Sequence, residues 1–406
     1  MEKLIKNNRE YTLSFIFPVL SGIIGGVQVL FINLITYFIH NSKIKIRLYD
    51  YNLGLIRTKL NELNIEGYDF VPLDTDKKSI PNKGDEIFIM SNGGFLLYPH
   101  LFDVKTNTSI LVWDVYYPFW NSFSKIKGVP IPGLKMKAMK LLVKKHAIIF
   151  MDLEGIKIFE ENGIIISNKE FKAVFIPVYK YSCSYKVKRF NNEIINIGYI
   201  GRCAIWKINP IIKLLEDLED SHKKYQLSII TDDPKTFSQF LPKQKYTNII
   251  FHKSLFGYEL EKFILSMDVG IGMGTAALDF AKLGVPTIIA NPSIDRIINN
   301  YKYKWLYESN PGQLGEEFTL MKEKDKLIGK TWNEIELDLE KIISVSNSTI
   351  NYVEKYHSID NIALKLLENI KQTELIPSDL KSFKFQLYLK ISKFIRRKNR
   401  LTLFEI

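Results

Sequence analysis

Residues 268–290 read DVGIGMGTAALDFAKLGVPTIIA and are the most informative stretch of the sequence. A short apolar strand leads into a glycine-broken turn, Gly272-Met273-Gly274-Thr275. A helix that carries Asp279 follows, and a second apolar strand runs from Thr287 to Ala290. A unit of this kind presents backbone N–H groups at a helix N-terminus to a phosphate. The alternative is an ordinary βαβ unit in which the turn only caps the helix.

A second stretch, Ile197 to Ile212, reads IGYIGRCAIWKINPII. Its apolar strand ends in Gly201-Arg202, and Lys207 follows Arg202 by five residues. The sequence predicts a helix that begins near Pro210, because proline suits the first turn. Two fixed cations at this spacing would favour an anionic ligand. The alternative is two solvated basic residues in a loop.

Taken together and in this order, the two stretches resemble the nucleotide-sugar domain of GT-B glycosyltransferases of the family 4, or group 1, type. The resemblance implies that Arg202 and Lys207 neutralise the donor diphosphate, together with N–H groups around Gly274 and Thr275. It also implies that Asp279 binds the ribose hydroxyls, where the family usually has glutamate. The shorter side chain of Asp279 is expected to alter that ribose contact.

Composition limits which classes of protein and of binding partner fit this chain. The chain has 406 residues, enough for two domains, and is 46% apolar and 13% aromatic, which predicts a globular protein. Its formal charge of +12 indicates a polyanionic partner or an anionic membrane surface. The two cysteines and six histidines show no spacing typical of a disulfide framework or metal site. We expect a cytoplasmic protein with no metal, no other cofactor and no nucleic-acid partner.

The N-terminal region contains a long uncharged stretch, since Tyr11 to Ser42 has no Asp, Glu, Lys or Arg. We reject a transmembrane helix because proline, glycine and polar residues interrupt the apolar run. The pattern favours a strand, Leu13–Phe17, a glycine loop and a buried helix, Val27–Ile39. No secretory signal pattern is found here.

Apolar runs alternate with helical stretches in both halves of the chain, which is typical of doubly wound parallel sheets. The fold class is therefore α/β, with two Rossmann-like domains in the GT-B arrangement and a helical C-terminal extension. The predicted boundaries are residues 1–180 for an acceptor domain, 193–372 for a nucleotide-sugar domain and 373–406 for a basic tail. The predicted strands are Leu13–Phe17, Ile44–Tyr49, Ile87–Met90, Ile110–Val115, Ala147–Met151, Ala173–Ile176, Ile194–Ile200, Leu227–Thr231, Ile249–Phe251, Val269–Ile271 and Thr287–Ala290.

The C-terminal tail mixes basic with aromatic and aliphatic residues, and Lys381 to Arg400 contains no acid. Such a stretch fits a helix lying on anionic lipid. We expect the protein to be peripheral on the inner face of the cell membrane. The alternative is a helix that caps a domain and exposes a basic face.

The resemblance places the active site between the two domains, and three N-terminal segments would face it: Ser21–Gly26, Ser91–Gly94, which we expect to be a plain loop, and Trp113–Trp120. Gly25 and Gly26 follow the first strand, where small residues allow a ligand to approach the backbone. Asp114 ends a buried strand in the aromatic segment Trp113–Trp120 and is the candidate general base if the reaction inverts the anomeric centre. The alternative is that Asp114 caps a turn; many relatives have a histidine near this point, which this sequence lacks.

The sequence thus predicts transfer of a sugar from a nucleoside diphosphate sugar to a glycan or lipid-linked acceptor, in bacterial surface polysaccharide assembly. Two alternatives stay open. One is a nucleotide-sugar epimerase on the same scaffold, and the other is a membrane-associated scaffold protein without turnover.

Overall fold

The computed structural model describes residues 3–6, 9–17, 25–73, 85–92, 108–115, 125–126, 129–130, 133–179, 194–242, 247–255, 257–298, 301–321 and 323–381. The chain divides into two compact units. The first unit combines Met1–Pro177 with Ile359–Ile406, and the second is Val178–Ser358.

The elements of each unit are numbered here in chain order. The first unit contains β1 Ile5–Lys6, β2 Arg9–Glu10, β3 Thr12–Ile16, α1 Gly26–Asn41, β4 Ile46–Asp50, α2 Leu55–Glu62, β5 Tyr68–Pro72, β6 Glu86–Ser91, β7 Thr108–Asp114, β8 Lys125–Ile126, β9 Val129–Pro130, α3 Leu134–Lys144, β10 Ile148–Phe150, α4 Leu153–Glu161 and α5 Lys169–Lys172. The second unit contains β11 Ile194–Ile200, α6 Ile205–Glu219, β12 Lys224–Thr231, α7 Pro234–Phe240, β13 Thr247–Lys253, α8 Gly257–Ser266, β14 Val269–Gly272, α9 Thr275–Lys282, β15 Thr287–Ile289, β16 Lys304–Trp305, α10 Glu323–Lys326, α11 Trp332–Leu339 and α12 Ile342–His357. Helix α13, Ile359–Gln372, returns to the first unit.

The first unit is built on a six-stranded parallel sheet of order β10-β7-β6-β3-β4-β5. Apart from the edge strand β5, its strands are mostly apolar and almost wholly buried, because helices cover a parallel sheet on both faces. Helix α1 packs on this sheet through residues at helical spacing, and Phe31 meets Phe15 edge-on at 5.3 Å between ring centroids. The strand order reverses direction between β3 and β6.

The second unit repeats the design with the order β13-β12-β11-β14-β15-β16, in which only β16 is antiparallel. The strand order reverses direction between β11 and β14. Helix α9 lies directly against this point, because a Cβ added at Gly270 would stand 2.2 Å from Cγ of the buried Phe280. Glycine at position 270 therefore lets α9 pack closely on the sheet. This packing fixes the position of the helix, and with it the turn that joins β14 to α9.

The compact units differ from the predicted boundary at residue 372, because α13 is grouped with the first unit. The physical reason is a pair of polar contacts that accompany its apolar face. The hydroxyl of Tyr37 donates to Asp360 at 2.6 Å, and Nζ of the buried Lys172 donates to Oδ1 of Asn369 at 2.9 Å. The predicted strand Ala173–Ile176 is not found: among the described residues it forms a single bridge, between Phe150 and Ala173.

The predicted tail divides into a packed part and a part that lies outside the described residues, 382–406. Thr373 donates its hydroxyl to the Ile110 carbonyl at 2.6 Å, and the N–H of Ile110 donates to the Leu375 carbonyl at 2.8 Å. Lys145 pairs with Asp379 at 3.0 Å. Residues 373–381 are therefore part of the first unit.

The first unit also contains a buried polar network that the sequence patterns did not indicate. Glu86, which is fully buried, accepts hydrogen bonds from the Arg47 guanidinium, from the Tyr49 hydroxyl at 2.8 Å and from the Ser14 hydroxyl at 2.7 Å. Arg47 also pairs with the exposed Asp69 at 3.0 Å. These residues stand on neighbouring strands, so the network links β3, β4 and β6.

Within the part of the chain that the structure describes, no helix combines the length and apolar character that a membrane span requires.

Candidate functional site

The second sheet brings together, at one edge, the two segments that the sequence indicated, 197–212 and 268–290. In the β11–β14 register, Gly198 lies opposite Gly270 and Tyr199 opposite Ile271. The loop after β11, which carries Arg202, and the turn after β14 therefore leave adjacent strands at their carboxyl ends. In open α/β sheets, ligands bind outside these ends at the point where the strand order reverses.

The helix after Arg202 begins earlier than the sequence predicts, at Ile205 rather than near Pro210. Lys207 therefore lies in the first turn of α6. Pro210 stands inside the helix and cannot donate to the carbonyl four residues before it. That carbonyl, of Trp206, instead accepts the N–H of Ser293 at 2.8 Å, which explains how the helix tolerates the proline.

Lys207 is half-buried, with its Nζ 5.0 Å from the centroid of the Trp206 ring. Desolvation, with a smaller contribution from the Arg202 charge, lowers the pKa of Lys207 to about 8, although Asp232 opposes this shift. Among the residues that the structure describes, no carboxylate forms an ion pair with Lys207. Arg202 is exposed. The loop therefore supplies an exposed guanidinium, and the first turn of α6 supplies a desolvated ammonium beside it.

The turn after β14 ends in Gly274, whose φ of +60° favours glycine. Gly274 caps α9 and donates its N–H to the Leu314 carbonyl at 2.7 Å. The next two N–H groups, of Thr275 and Ala276, have no acceptor within the helix because they lie in its first turn. They are the backbone donors that this turn offers to an anion, whereas Gly274 itself is occupied.

Asp279 is the fifth residue of α9 and is half-buried. Its Oδ1 accepts a hydrogen bond from Nζ of Lys282 at 2.7 Å, one helical turn further on. A ribose hydroxyl at this carboxylate would share it with Lys282. The sequence did not indicate this pairing.

The glycines of the first unit lie at its own reversal point, after β3. Gly25 caps α1 and donates its N–H to the side-chain oxygen of Gln28 at 3.0 Å, and Gly26 begins the helix. Residues 18–24 of the same loop lie outside the described residues.

Asp114 ends β7 and is 3% exposed. Its Oδ1 accepts a hydrogen bond from the side-chain amide of Asn92, the residue after β6. A Cβ at Gly155, in the first turn of α4, would stand 3.2 Å from Oδ2. The carboxylate thus lies near the N-terminus of α4. The aromatic residues 116–120 lie outside the described residues.

No cluster of three or more His, Cys, Asp or Glu that might hold a metal ion is found among the described residues.

No family model and no curated protein sequence matches this chain. Solved structures do match over most of its length. A variant of TarM from S. aureus, in complex with fondaparinux, α-GlcNAc-glycerol and UDP, is 9% identical, with a TM-score of 0.53 over 89% of this chain and 99% of that one. The apo form of WaaB, a lipopolysaccharide outer core galactosyltransferase, is 14% identical, with a TM-score of 0.51 over 88% and 99%. HepE from Anabaena, in complex with UDP and glucose, is 14% identical, with a TM-score of 0.50 over 89% and 99%.

These similarities, together with the two sheets, confirm the predicted α/β fold class: the chain has the GT-B fold.

Proposed function

We propose that this chain is a glycosyltransferase that moves a sugar from a nucleoside diphosphate sugar to a glycan or lipid-linked acceptor. The observation that carries the proposal is the reversal point of the second sheet. There, Arg202 and the desolvated Lys207 follow one strand, and the N–H groups of Thr275 and Ala276 follow the adjacent strand.

The proposed chemistry follows from charge. When the bond between the sugar carbon and the diphosphate breaks, negative charge collects on the oxygen that had bridged them. Lys207, Arg202 and the first-turn N–H groups of α9 would stabilise that charge, because they are held in place before the reaction starts. Asp279 would orient the donor through its ribose. We propose no metal for this step, since Arg202 and Lys207 would together supply the positive charge at the leaving group.

The acceptor would lose a proton as it attacks the sugar. Asp114 stays a prediction for this role in an inverting reaction, and its burial beside Asn92 also suits a residue that shapes the acceptor side. In a retaining reaction the leaving phosphate takes the proton. Because WaaB is named as a lipopolysaccharide galactosyltransferase, we propose a surface polysaccharide as the product and a cytoplasmic location.

The first test is thermal stabilisation by UDP, GDP, ADP, CMP and their sugars. We expect one nucleoside diphosphate and its sugar to raise the melting temperature of the wild type. Asp279→Ala should remove most of that shift, because it removes the ribose contact. UDP is the first choice, since TarM and HepE were solved with it.

Glu340→Ala is the matched control, because it removes an exposed carboxylate of the same unit, after α11. It should leave the shift unchanged. If none of these ligands stabilises the wild type, the donor proposal fails and the scaffold alternative gains. If a nucleotide sugar is instead interconverted without an acceptor, the protein is an epimerase.

We also propose that the tail binds anionic membrane. The support is the sequence of residues 383–400, where basic residues alternate with aromatic and aliphatic ones. Deleting Phe383 to Ile406 should reduce co-sedimentation with phosphatidylglycerol vesicles by roughly tenfold, whereas phosphatidylcholine vesicles should bind neither form. Undiminished binding of the truncated chain to the anionic vesicles would show that the anchor lies elsewhere.

A further inference from the structure

Asp232 follows β12 directly and stands beside the loop that carries Arg202. Strands β11 and β12 are parallel, with Ile200 opposite Ile230, so continuing the register places Asp232 level with Arg202. Oδ1 of Asp232 accepts the N–H of Cys203 at 2.6 Å and the hydroxyl of Thr231 at 3.1 Å. A carboxylate from one strand therefore holds the backbone of the neighbouring loop, one residue beyond Arg202.

The loop is held on both sides of this contact. Before it, Gly201 donates its N–H to the Ile230 carbonyl at 3.0 Å. After it, Ala204 donates to the Arg202 carbonyl at 2.9 Å, and Lys207 donates to the Ala204 carbonyl at 2.8 Å as α6 begins. The contact from Asp232 thus fixes the middle of the connection between Arg202 and Lys207.

Considered by charge alone, an aspartate at position 232 is unfavourable for a diphosphate site. A negative charge beside a diphosphate site repels the ligand, so its removal should strengthen binding if charge were its only effect. Asp232 does offset the mutual repulsion of Arg202 and Lys207. Its geometric effect is separate, since an oriented acceptor for the Cys203 N–H is needed whatever its charge.

We propose that Asp232 is a positioning residue for the diphosphate site: by holding the Cys203 amide it fixes the spacing of Arg202 and Lys207. The role of Asp232 in diphosphate binding rests on the proposed function, whereas its hydrogen bond to the loop does not. Asp232→Asn removes the charge and keeps an oxygen acceptor, and Asp232→Ala removes both. The comparison between these two variants therefore isolates the hydrogen bond.

Calorimetric titration with UDP at pH 6.5 tests the effect on binding. Asp232→Ala should bind about tenfold more weakly than the wild type, the effect of one lost hydrogen bond to an ordered loop. Asp232→Asn should bind as tightly as the wild type or slightly more tightly. Equal affinity of the alanine and asparagine variants would overturn the proposal. Asp232→Glu, which keeps the charge but displaces the acceptor, should also bind weakly and serves if the alanine variant fails to fold.

A second measurement needs no ligand and separates failure of this inference from failure of the proposed function. In a Cys183→Ser background, the rate of Cys203 labelling by a thiol reagent reports the mobility of the loop. Asp232→Ala should label several times faster than Asp232→Asn, since both lack the charge and only the former lacks the acceptor. Equal rates would overturn the proposal. If the rates differ and no nucleoside diphosphate binds, only the proposed function fails.

Discussion

Replacing Lys207 with methionine is expected to weaken nucleoside diphosphate binding by roughly 10- to 100-fold at pH 7, the range for one lost charge-assisted hydrogen bond. Lys207 is half-buried, and among the described residues no carboxylate pairs with it. Its positive charge can therefore pair with an anionic ligand. Methionine keeps the apolar stem and removes the charge, so the melting temperature without ligand should not fall. Calorimetry with UDP measures the affinity, and an unchanged value would contradict the role in phosphate binding.

The same residue predicts a pH dependence. Desolvation lowers the pKa of Lys207 to about 8, so the unliganded protein begins to lose this charge above pH 8. A bound diphosphate raises the pKa of Lys207 again. At pH values near and above 8, binding is therefore accompanied by uptake of a proton on Lys207. The contribution of Lys207 to the affinity should therefore be constant below pH 7, and the affinity should fall as the pH rises above 8. Lys207→Arg should bind with no such fall, because guanidinium stays charged. A flat profile for the wild type between pH 7 and 9.5 would contradict this.

The unliganded stability moves in the opposite sense. Because the pKa of Lys207 is lower in the folded chain than the usual 10.5 of lysine, the unfolded chain binds more protons between pH 8 and 10.5. The stability contribution from this residue therefore rises across that window. Lys207→Met removes the contribution, which a comparison of urea midpoints at pH 7.5 and 9.5 detects.

The second large effect is expected at Glu86. Glu86→Gln should lower the unfolding free energy of the first unit by about 3 kcal/mol, because it leaves the buried Arg47 guanidinium without its buried counter-charge. The hydroxyls of Ser14 and Tyr49 would still find an oxygen, so the loss comes mainly from the charge. Urea unfolding that resolves the transition of the first unit measures it.

Glu62→Gln is the matched control. Glu62 pairs with Lys59 at 2.8 Å on the exposed face of α2, where such pairs contribute less than about 1 kcal/mol. A double variant, Arg47→Met with Glu86→Leu, should lose less than the sum of its single changes, because it leaves neither charge unpaired. A loss below 1 kcal/mol for Glu86→Gln would show that the network carries little stability.

Much of the fold could be predicted because burial periodicity is local. Continuous apolar runs identified β3, β6, β7, β11, β14 and β15 closely, and the alternation with helices indicated two doubly wound sheets. Strand β5 and the edge strand β16 did not show this pattern. In Tyr68–Pro72 only Val71 is buried, and Lys304–Trp305 is too short to show any period.

The candidate site was only partly predictable. The order of Gly201-Arg202, Lys207 and the glycine turn was visible because each element belongs to one short segment. The helix start at Ile205 was not, since Pro210 suggested a first turn while the real compensation comes from Ser293, 87 residues after Trp206. The sequence gives no sign of the role of Asp232, because its contact with Cys203 exists only once β11 and β12 are paired.

The sequence by itself determined that this chain forms two α/β units and which segments end at the carboxyl edge of the second sheet. These signals are local. Strand and helix periods, glycine turns and proline positions each involve only a few neighbouring residues, so they can be read from the sequence. Tertiary structure alone decided that α13 joins the first unit, that Glu86 neutralises Arg47, and that Lys207 is desolvated while Asp279 is paired with Lys282. Burial and charge depend on which distant segments pack together, and strand order rather than local pattern sets that packing.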